Sequence, residues 1–178
     1  MDSRYELETA HLRLHALSYE EAALALRGDR QALGARLGAT VPEGWPSPDL
    51  TESLPTILAE MRSRPGDERW LWVIIEPHAA AVIGDIGFHG PVRETATVEL
   101  GYLIFPAYQG RGYATEAALA LLTWAASQPG VERVVVRIAP DNGPSLRVAE
   151  KLSMRETAST EPAYRRFEWA GEGQAPHS

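Results

Sequence analysis

The chain has 178 residues, 44% of them apolar and 23% charged, proportions that suit one globular domain around one core. It contains no cysteine, which excludes disulfides, thiolate catalysis and cysteine-type zinc sites. The N-terminus, Met1-Asp2-Ser3-Arg4-Tyr5-Glu6, holds no apolar signal core, and no apolar run approaches the roughly 20 residues that cross a bilayer, so a cytoplasmic protein is expected. A formal charge of -7 argues against nucleic acid as the main partner and suits a cationic amine substrate.

Leu7 to Leu17 alternates, with Leu12, Leu14 and Ala16 pointing one way and His11, Arg13 and His15 the other, which predicts a half-buried first strand. His11 and His15 stand four apart, a spacing that serves a metal on a helix but not on a strand, and no metal site is expected. Ser18 caps a predicted helix from Tyr19 to Arg27, with Glu20 and Glu21 in the first turn where the helix dipole favours them. A second short helix, Asp29 to Leu37, ends at Gly38. Val41 to Pro48 is a loop carrying one large aromatic. Trp45 either staples that loop to the body or lines an acceptor pocket, since binding surfaces often sit on loops. Leu50 to Arg64 reads as an amphipathic helix with Leu54, Ile57, Leu58 and Met61 on one face, and Arg64-Pro65-Gly66-Asp67 as a turn.

Trp70 to Ile75 is an apolar, β-prone strand ended by Glu76-Pro77-His78. Ala81 to Phe88 is the next strand, interrupted by Gly84-Asp85, and His89-Gly90-Pro91 makes a turn. Thr95 to Phe105 is a longer strand, so the middle of the chain predicts an antiparallel meander. Then comes Pro106-Ala107-Tyr108-Gln109-Gly110-Arg111-Gly112-Tyr113-Ala114-Thr115-Glu116, a glycine-rich turn that opens a buried helix, Ala117 to Ala126. Two glycines let a ligand approach the backbone N–H groups, the helix start adds unpaired donors and the positive dipole end, and Arg111 adds a charge. The combination makes an anion site suited to a phosphate.

Two common phosphate ligands do not fit. No Gly-Lys-Ser or Gly-Lys-Thr exists for a nucleotide P-loop. Gly110-x-Gly112 continues into Ala114-Thr115 and lies in the second half of the chain, unlike a dinucleotide fingerprint. Val131 to Ile138 is again strand, and the helix before it makes it a parallel neighbour of the previous one in a right-handed β-α-β unit. A helix from Pro144 to Leu152 and strands at Ser153-Met154-Arg155 and Arg165 to Trp169 complete the pattern. The domain therefore spans residues 1–170, and 171–178 is expected to be a frayed tail.

Gln109, Gly112 and Ala114 form Q-x-x-G-x-A, which resembles the acetyl-CoA pyrophosphate motif of the GNAT N-acetyltransferase superfamily, Q/R-x-x-G-x-G/A. Asn142 to Leu152 resembles the N-x-x-S-x-x-x-x-x-K-L segment that follows the family's fifth strand. Val82 to Phe88, Glu99-Leu100-Gly101-Tyr102 and Thr115-Glu116-Ala117 agree further. Thr9-Ala10-His11-Leu12-Arg13-Leu14 is similar to the T-x-R-L-x-L start of the ribosomal-protein (Rim-type) branch. The match covers most of residues 7–169.

The resemblance implies an α+β (mixed α/β) fold, a mostly antiparallel twisted sheet with flanking helices whose parallel strands 4 and 5 splay apart. It implies acetyl-CoA as the acetyl donor, with Leu103, Ile104 and Phe105 along the splayed edge, the diphosphate on Gln109, Gly110, Arg111, Gly112, Tyr113, Ala114 and Thr115, and Asn142 and Ser145 near the cofactor. The implied chemistry is direct attack of an amine on the thioester, needing a base, an oxyanion donor near Leu103 or Ile104, and an acid for the thiolate. Glu99 is the candidate base, directly or through water, with a solvent-facing strand residue as its other reading; Asp85 is second, with a turn role as its other reading. Many relatives place a tyrosine seven residues after the asparagine as the acid, but this chain has Ala149 there, leaving Ser145, which is otherwise only a helix-cap residue. Ser153 replaces the glycine usual before Met154. The acceptor is a protein N-terminus or a small amine, bound by Arg27 to Pro48, with Trp45 in its pocket on the second of its two readings, and relatives often dimerise. A non-catalytic acetyl-CoA-binding or regulatory protein is the competing expectation.

Overall fold

The computed structural model describes residues 6–63, 71–89 and 96–169. The expected turn at Arg64 to Asp67, the strand start at Trp70, most of the turn at His89-Gly90-Pro91 and the tail 171–178 lie outside the described residues. The elements run β1 (Glu6–Glu8), β2 (Arg13–Ala16), α1 (Tyr19–Leu26), α2 (Arg30–Leu37), α3 (Pro48–Ser63), β3 (Leu71–Glu76), β4 (Ala81–His89), β5 (Thr97–Ile104), a short 3-10 turn (Pro106–Tyr108), α4 (Tyr113–Ala126), β6 (Arg133–Ile138), α5 (Gly143–Lys151), β7 (Arg155–Thr157) and β8 (Arg165–Trp169). They build one sheet in the order β1-β2-β3-β4-β5-β6-β8-β7, antiparallel except where β5 meets β6. The fold is mixed α/β, as expected.

The first strand is two strands rather than one. Thr9 turns the chain by exchanging hydrogen bonds with Leu12: Thr9 N–H to Leu12 O at 2.9 Å and Leu12 N–H to Thr9 Oγ1 at 2.9 Å. That folds β1 onto β2 as a hairpin. The alternating pattern of Leu7 to Leu17 does not reveal a turn made by a threonine side chain. The splayed strands therefore number five and six in this chain.

Helix signals fall where the capping chemistry puts them. Ser18 and Glu21 close a reciprocal capping box at the start of α1. Asp29 caps α2, which stops at Gly38 with φ 62°. Helices α1–α3 cover one face of the sheet, burying Leu24, Leu33, Leu54 and Met61 against Leu71, Val73 and Ile75. Helices α4 and α5 cover the other, where Ala117, Leu121 and Ala149 meet Trp72, Ile86, Leu100 and Val136. Strand β3 is buried on both faces, which is why it reads as an unbroken apolar run.

Two irregularities shape the centre. Gly84-Asp85 does not interrupt β4; the strand is continuous, and its register against β3 shifts between Ile74 and Ile75. This bulge re-aims the side chains after it, so Ile86 and Phe88 enter the α4–α5 core while Asp85 turns to the α3 face. A Cβ on Gly84 would stand 2.1 Å from Leu103 O, so the close approach of β4 and β5 requires glycine there.

Second, β5 and β6 pair only at Thr97–Arg133, Val98–Val134 and Glu99–Val135. Past Glu99, β5 stays with β4 as far as Ile104 and β6 stays with β8 as far as Ile138, opening a gap between them. Phe105 N–H donates to Ile83 O at 2.9 Å. By strand alternation the N–H groups of Leu103 and Gly101 also face β4, and those of Tyr102 and Ile104 face the gap.

Candidate active site

On the α4 side of the gap the chain forms a shallow cradle of about 150 Å³. Gly110 (φ 76°) and Gly112 (φ 86°) adopt the left-handed conformation that L side chains resist, and a Cβ at either would meet no atom within 4 Å. The first helical bond of α4 is Glu116 N–H to Gly112 O at 3.0 Å, which leaves the N–H groups of Tyr113, Ala114 and Thr115 without intrahelical acceptors. Arg147 and Lys151, four apart on α5, line the opposite wall. Free amide donors, a helix dipole and two cations around open space fit a diphosphate.

Of the residues expected there, Ile104, Gln109, Gly110, Gly112, Tyr113, Ala114 and Thr115 line the cradle. Gln109 is spent on the strand edge, its Nε2 donating to Ile104 O at 2.7 Å across the turn. The Arg111 guanidinium lies over the Tyr108 ring, 5.6 Å from its centroid. Phe105 packs with the α1–α3 core, and Leu103 faces the other side of the sheet. Asn142 Oδ1 accepts Ser145 N–H at 3.1 Å, capping α5.

Glu116 ties the cradle helix to the N-terminal hairpin. It accepts Thr9 Oγ1–H at 2.6 Å and His11 N–H at 2.8 Å, with His11 Nδ1 at 3.1 Å. Partial burial alone would raise its carboxyl, but the hydrogen bonds from Thr9 and His11 win and hold it below the usual value. His15, the other expected strand histidine, is tucked between Glu6 (3.2 Å) and Glu21 (3.1 Å) rather than set on a wet face.

Inside the gap, Tyr102 and Ser145 line one small cavity together with Val148 and Ala149. Burial pushes the Tyr102 phenol up, and the facing Ser145 hydroxyl offsets part of that.

On the opposite face, α3 stands off β4 and β5 and leaves a cleft of about 820 Å³. Gly87 and Gly101 form its floor, Leu103 (36% exposed) its inner end, and Asp49, Glu52 and Glu60 of α3 its outer wall. Asp85 opens onto it. Burial pushes the Asp85 carboxyl up to about 6, and the hydrogen bond from Trp45 Nε1–H to its Oδ2, 2.9 Å long, offsets only part of that. Trp45 itself is 3% exposed and packs in the α1–α3 core, so it staples its loop and reaches the cleft only through Asp85.

Glu99 lies on the same face but is not among the cleft-lining residues. It accepts Arg137 Nε–H at 2.8 Å, and Arg137 also pairs with Glu161 and stacks over Tyr164. Arg147, Lys151, Tyr102 and His89 also line these cavities and were not expected there from the sequence. The i, i+4 spacing of the two α5 cations was a usable signal. The other two depend on strand register, which the sequence does not display.

The family model for the acetyltransferase (GNAT) domain matches residues 11–155. An uncharacterized N-acetyltransferase of Bacillus subtilis, YjdG, is 32% identical over 149 residues, covering 82% of this chain and 87% of that protein. A second Bacillus subtilis protein, the uncharacterized N-acetyltransferase YnaD, is 36% identical over 90 residues, 51% of this chain and 52% of its own. Among solved structures, an acetyltransferase from Agrobacterium tumefaciens superposes with TM-score 0.63 at 25% identity, covering 92% of this chain and 93% of its own. The ribosomal-protein-S5-alanine acetyltransferase of Vibrio fischeri shares the fold at TM-score 0.64 and 16% identity, over 96% and 99% of the two chains. With its glycine cradle, opened strand pair and second cleft, the chain belongs to the GNAT acetyltransferase family and is an acetyltransferase.

Proposed function

We propose that the protein transfers acetyl from acetyl-CoA to a primary amine, the donor entering from the α4 cradle and the amine from the acid-lined cleft. The observation that carries this reading is that both cavities reach the same few residues of β5: Ile104 belongs to the cradle, Leu103 to the cleft, and Tyr102 to the cleft and the gap cavity. When bound, acetyl-CoA supplies an activated acyl thioester. The N–H groups of Tyr113, Ala114 and Thr115, with Arg147 and Lys151, hold its diphosphate. The gap-facing N–H of Tyr102 or Ile104 receives the developing oxyanion, so of the two expected donors the parity of β5 favours Ile104 over Leu103.

Asp85 meets the acceptor ammonium. Among the described residues its carboxylate accepts one hydrogen bond, from Trp45, which leaves capacity for a cation from the cleft. Ser145, backed by the Tyr102 phenol, protonates the departing sulfur in place of the tyrosine that α5 lacks. Glu99, held by Arg137, keeps the wall of the gap in place. The acceptor is a cationic amine on a small molecule or at a protein N-terminus. The latter is favoured by the Rim-type Thr9 to Leu14 opening and by the fold shared with the Vibrio fischeri enzyme.

Thiol release from acetyl-CoA, followed against a panel of N-terminal peptides and small polyamines, tests this. Amine-dependent release supports the proposal. Tight acetyl-CoA binding without release to any amine favours a non-catalytic binder.

A further inference from the structure

The structure assigns a role to His89, the last residue of β4, and the inference rests on the acetyl-transfer reading above. The Glu99 carboxylate is engaged by Arg137 at 2.8 Å and stands outside the cleft lining. Asp85 lies in the cleft but has sunk its Oδ2 onto the Trp45 indole. His89 is different. It is exposed, it lines the cleft, and it is the cross-strand partner of Glu99, the last β5 residue paired with β6.

Its ring folds over the neighbouring strand. A Cβ built on Gly101 would stand 2.7 Å from His89 Nε2 and 3.4 Å from Cδ2. Glycine at 101 leaves room for the imidazole across the backbone of β5, where that strand has just parted from β6, and a Cβ there would push the ring out of this place. Among the described residues, no hydrogen bond engages either ring nitrogen. We propose that His89 is the proton acceptor for the incoming amine, with Gly101 as the residue that positions its ring.

The charged groups around it are consistent with that task. Glu99 faces it from β5 with Arg137 behind, Asp85 shares its strand face, and Asp49, Glu52 and Glu60 of α3 line the cleft opposite. The acids draw in an ammonium, and an unprotonated imidazole nitrogen offers the lone pair that accepts its proton. The acceptor ammonium gives one proton to Nε2. The freed nitrogen lone pair then forms the C–N bond as the C–S bond breaks with its electron pair on sulfur. The second nitrogen proton, lost as the amide forms, balances the one the thiolate takes up, and His89 returns its own to solvent.

Two measurements test the assignment. In the amine-dependent assay, His89→Ala and His89→Gln are expected to lower kcat/KM about 100-fold or more. The calorimetric Kd for acetyl-CoA should stay within twofold. Gly101→Ala, which displaces the ring, should cause a smaller loss that vanishes in the His89→Ala background.

The second readout needs no acceptor: the His89 ring signals in heteronuclear NMR should move on adding acetyl-CoA and move less with CoA alone. A loss below threefold overturns the assignment. So does an unmoved ring while signals of residues 110–115 respond to acetyl-CoA. If acetyl-CoA does not bind at all, the acetyl-transfer reading fails first, and this role fails with it.

Discussion

The two faces of β5 are built on different principles. On the α4 side, the proposed donor cradle is mostly one continuous piece of chain, and its chemistry is backbone: two left-handed glycines and the amide donors of one helix start. On the α3 side, the proposed acceptor cleft takes its floor from β4 and β5 and its wall from α3, and its chemistry is side chains brought together by register. A site made of backbone tolerates few substitutions at its glycines but leaves most neighbours free. A site made of side chains can change its acceptor by changing single residues while the sheet stays intact. One fold can thus keep its donor and vary what it acetylates.

The largest blow to this comparison comes from the strand pair that both faces share. Gly84→Ala would drive a Cβ to 2.1 Å from Leu103 O. Because the obstacle is backbone, β4 and β5 must part, and a loss of about 3 kcal/mol is expected, seen as a lower denaturation midpoint with both sites impaired.

The faces should then separate cleanly. Removing both α5 cations, Arg147→Ala with Lys151→Ala, should weaken acetyl-CoA by about 2 kcal/mol, roughly 30-fold, in a salt-dependent way while the acceptor KM holds. Binding isotherms at two ionic strengths check this, and an equal rise in acceptor KM would contradict the division of labour.

Asp85→Asn should act on the other face alone. The folded-state pKa of Asp85 lies above its unfolded value, so its contribution is present at low pH and is lost as pH rises from about 4 through about 6. The asparagine variant, which cannot ionise, should therefore be more stable than the parent at pH 8, by about 1–2 kcal/mol, while its acceptor KM rises. Urea midpoints at pH 4 and pH 8 give the sign directly.

The smallest effect belongs to neither site. Burial would lower the His15 pKa, but Glu21 and Glu6 outweigh it and raise it above 6.5. Burial would raise Glu6 and Glu21, but their hydrogen bonds to Arg13, His15 and Ser18 lower them below 4.5. The histidine's contribution is complete below about pH 6.5 and fades as pH rises through its folded value, and the glutamates' contribution fades as pH falls below about 4.5. His15→Gln should flatten the decline in Tm above pH 6.5, a change under about 1 kcal/mol, without touching either Kd.

The helix starts at Ser18 and Asp29, the β-α-β unit and the glycine turn were legible because each is decided by neighbours in the chain, while α3 and α4 begin earlier than expected, at Pro48 and Tyr113. Ser18 reaches Glu21 three residues on, and Gly112 hands its carbonyl to Glu116 four residues on. The hairpin at Thr9 escaped because a hydroxyl making a turn leaves the apolar alternation undisturbed. The bulge in β4 escaped because one extra residue shows only against the partner strand.

By itself, then, the order of residues determined the fold class, the glycine turn that opens α4 and the family, since those rest on local backbone preferences and short-range spacing. Tertiary structure decided which side chains meet. It gave the Trp45 indole to Asp85, the Glu99 carboxylate to Arg137 and a place over Gly101 to His89. Strand register sets those meetings, and a shift of one residue would turn Asp85, His89, Glu99 or Arg137 to the other face of the sheet.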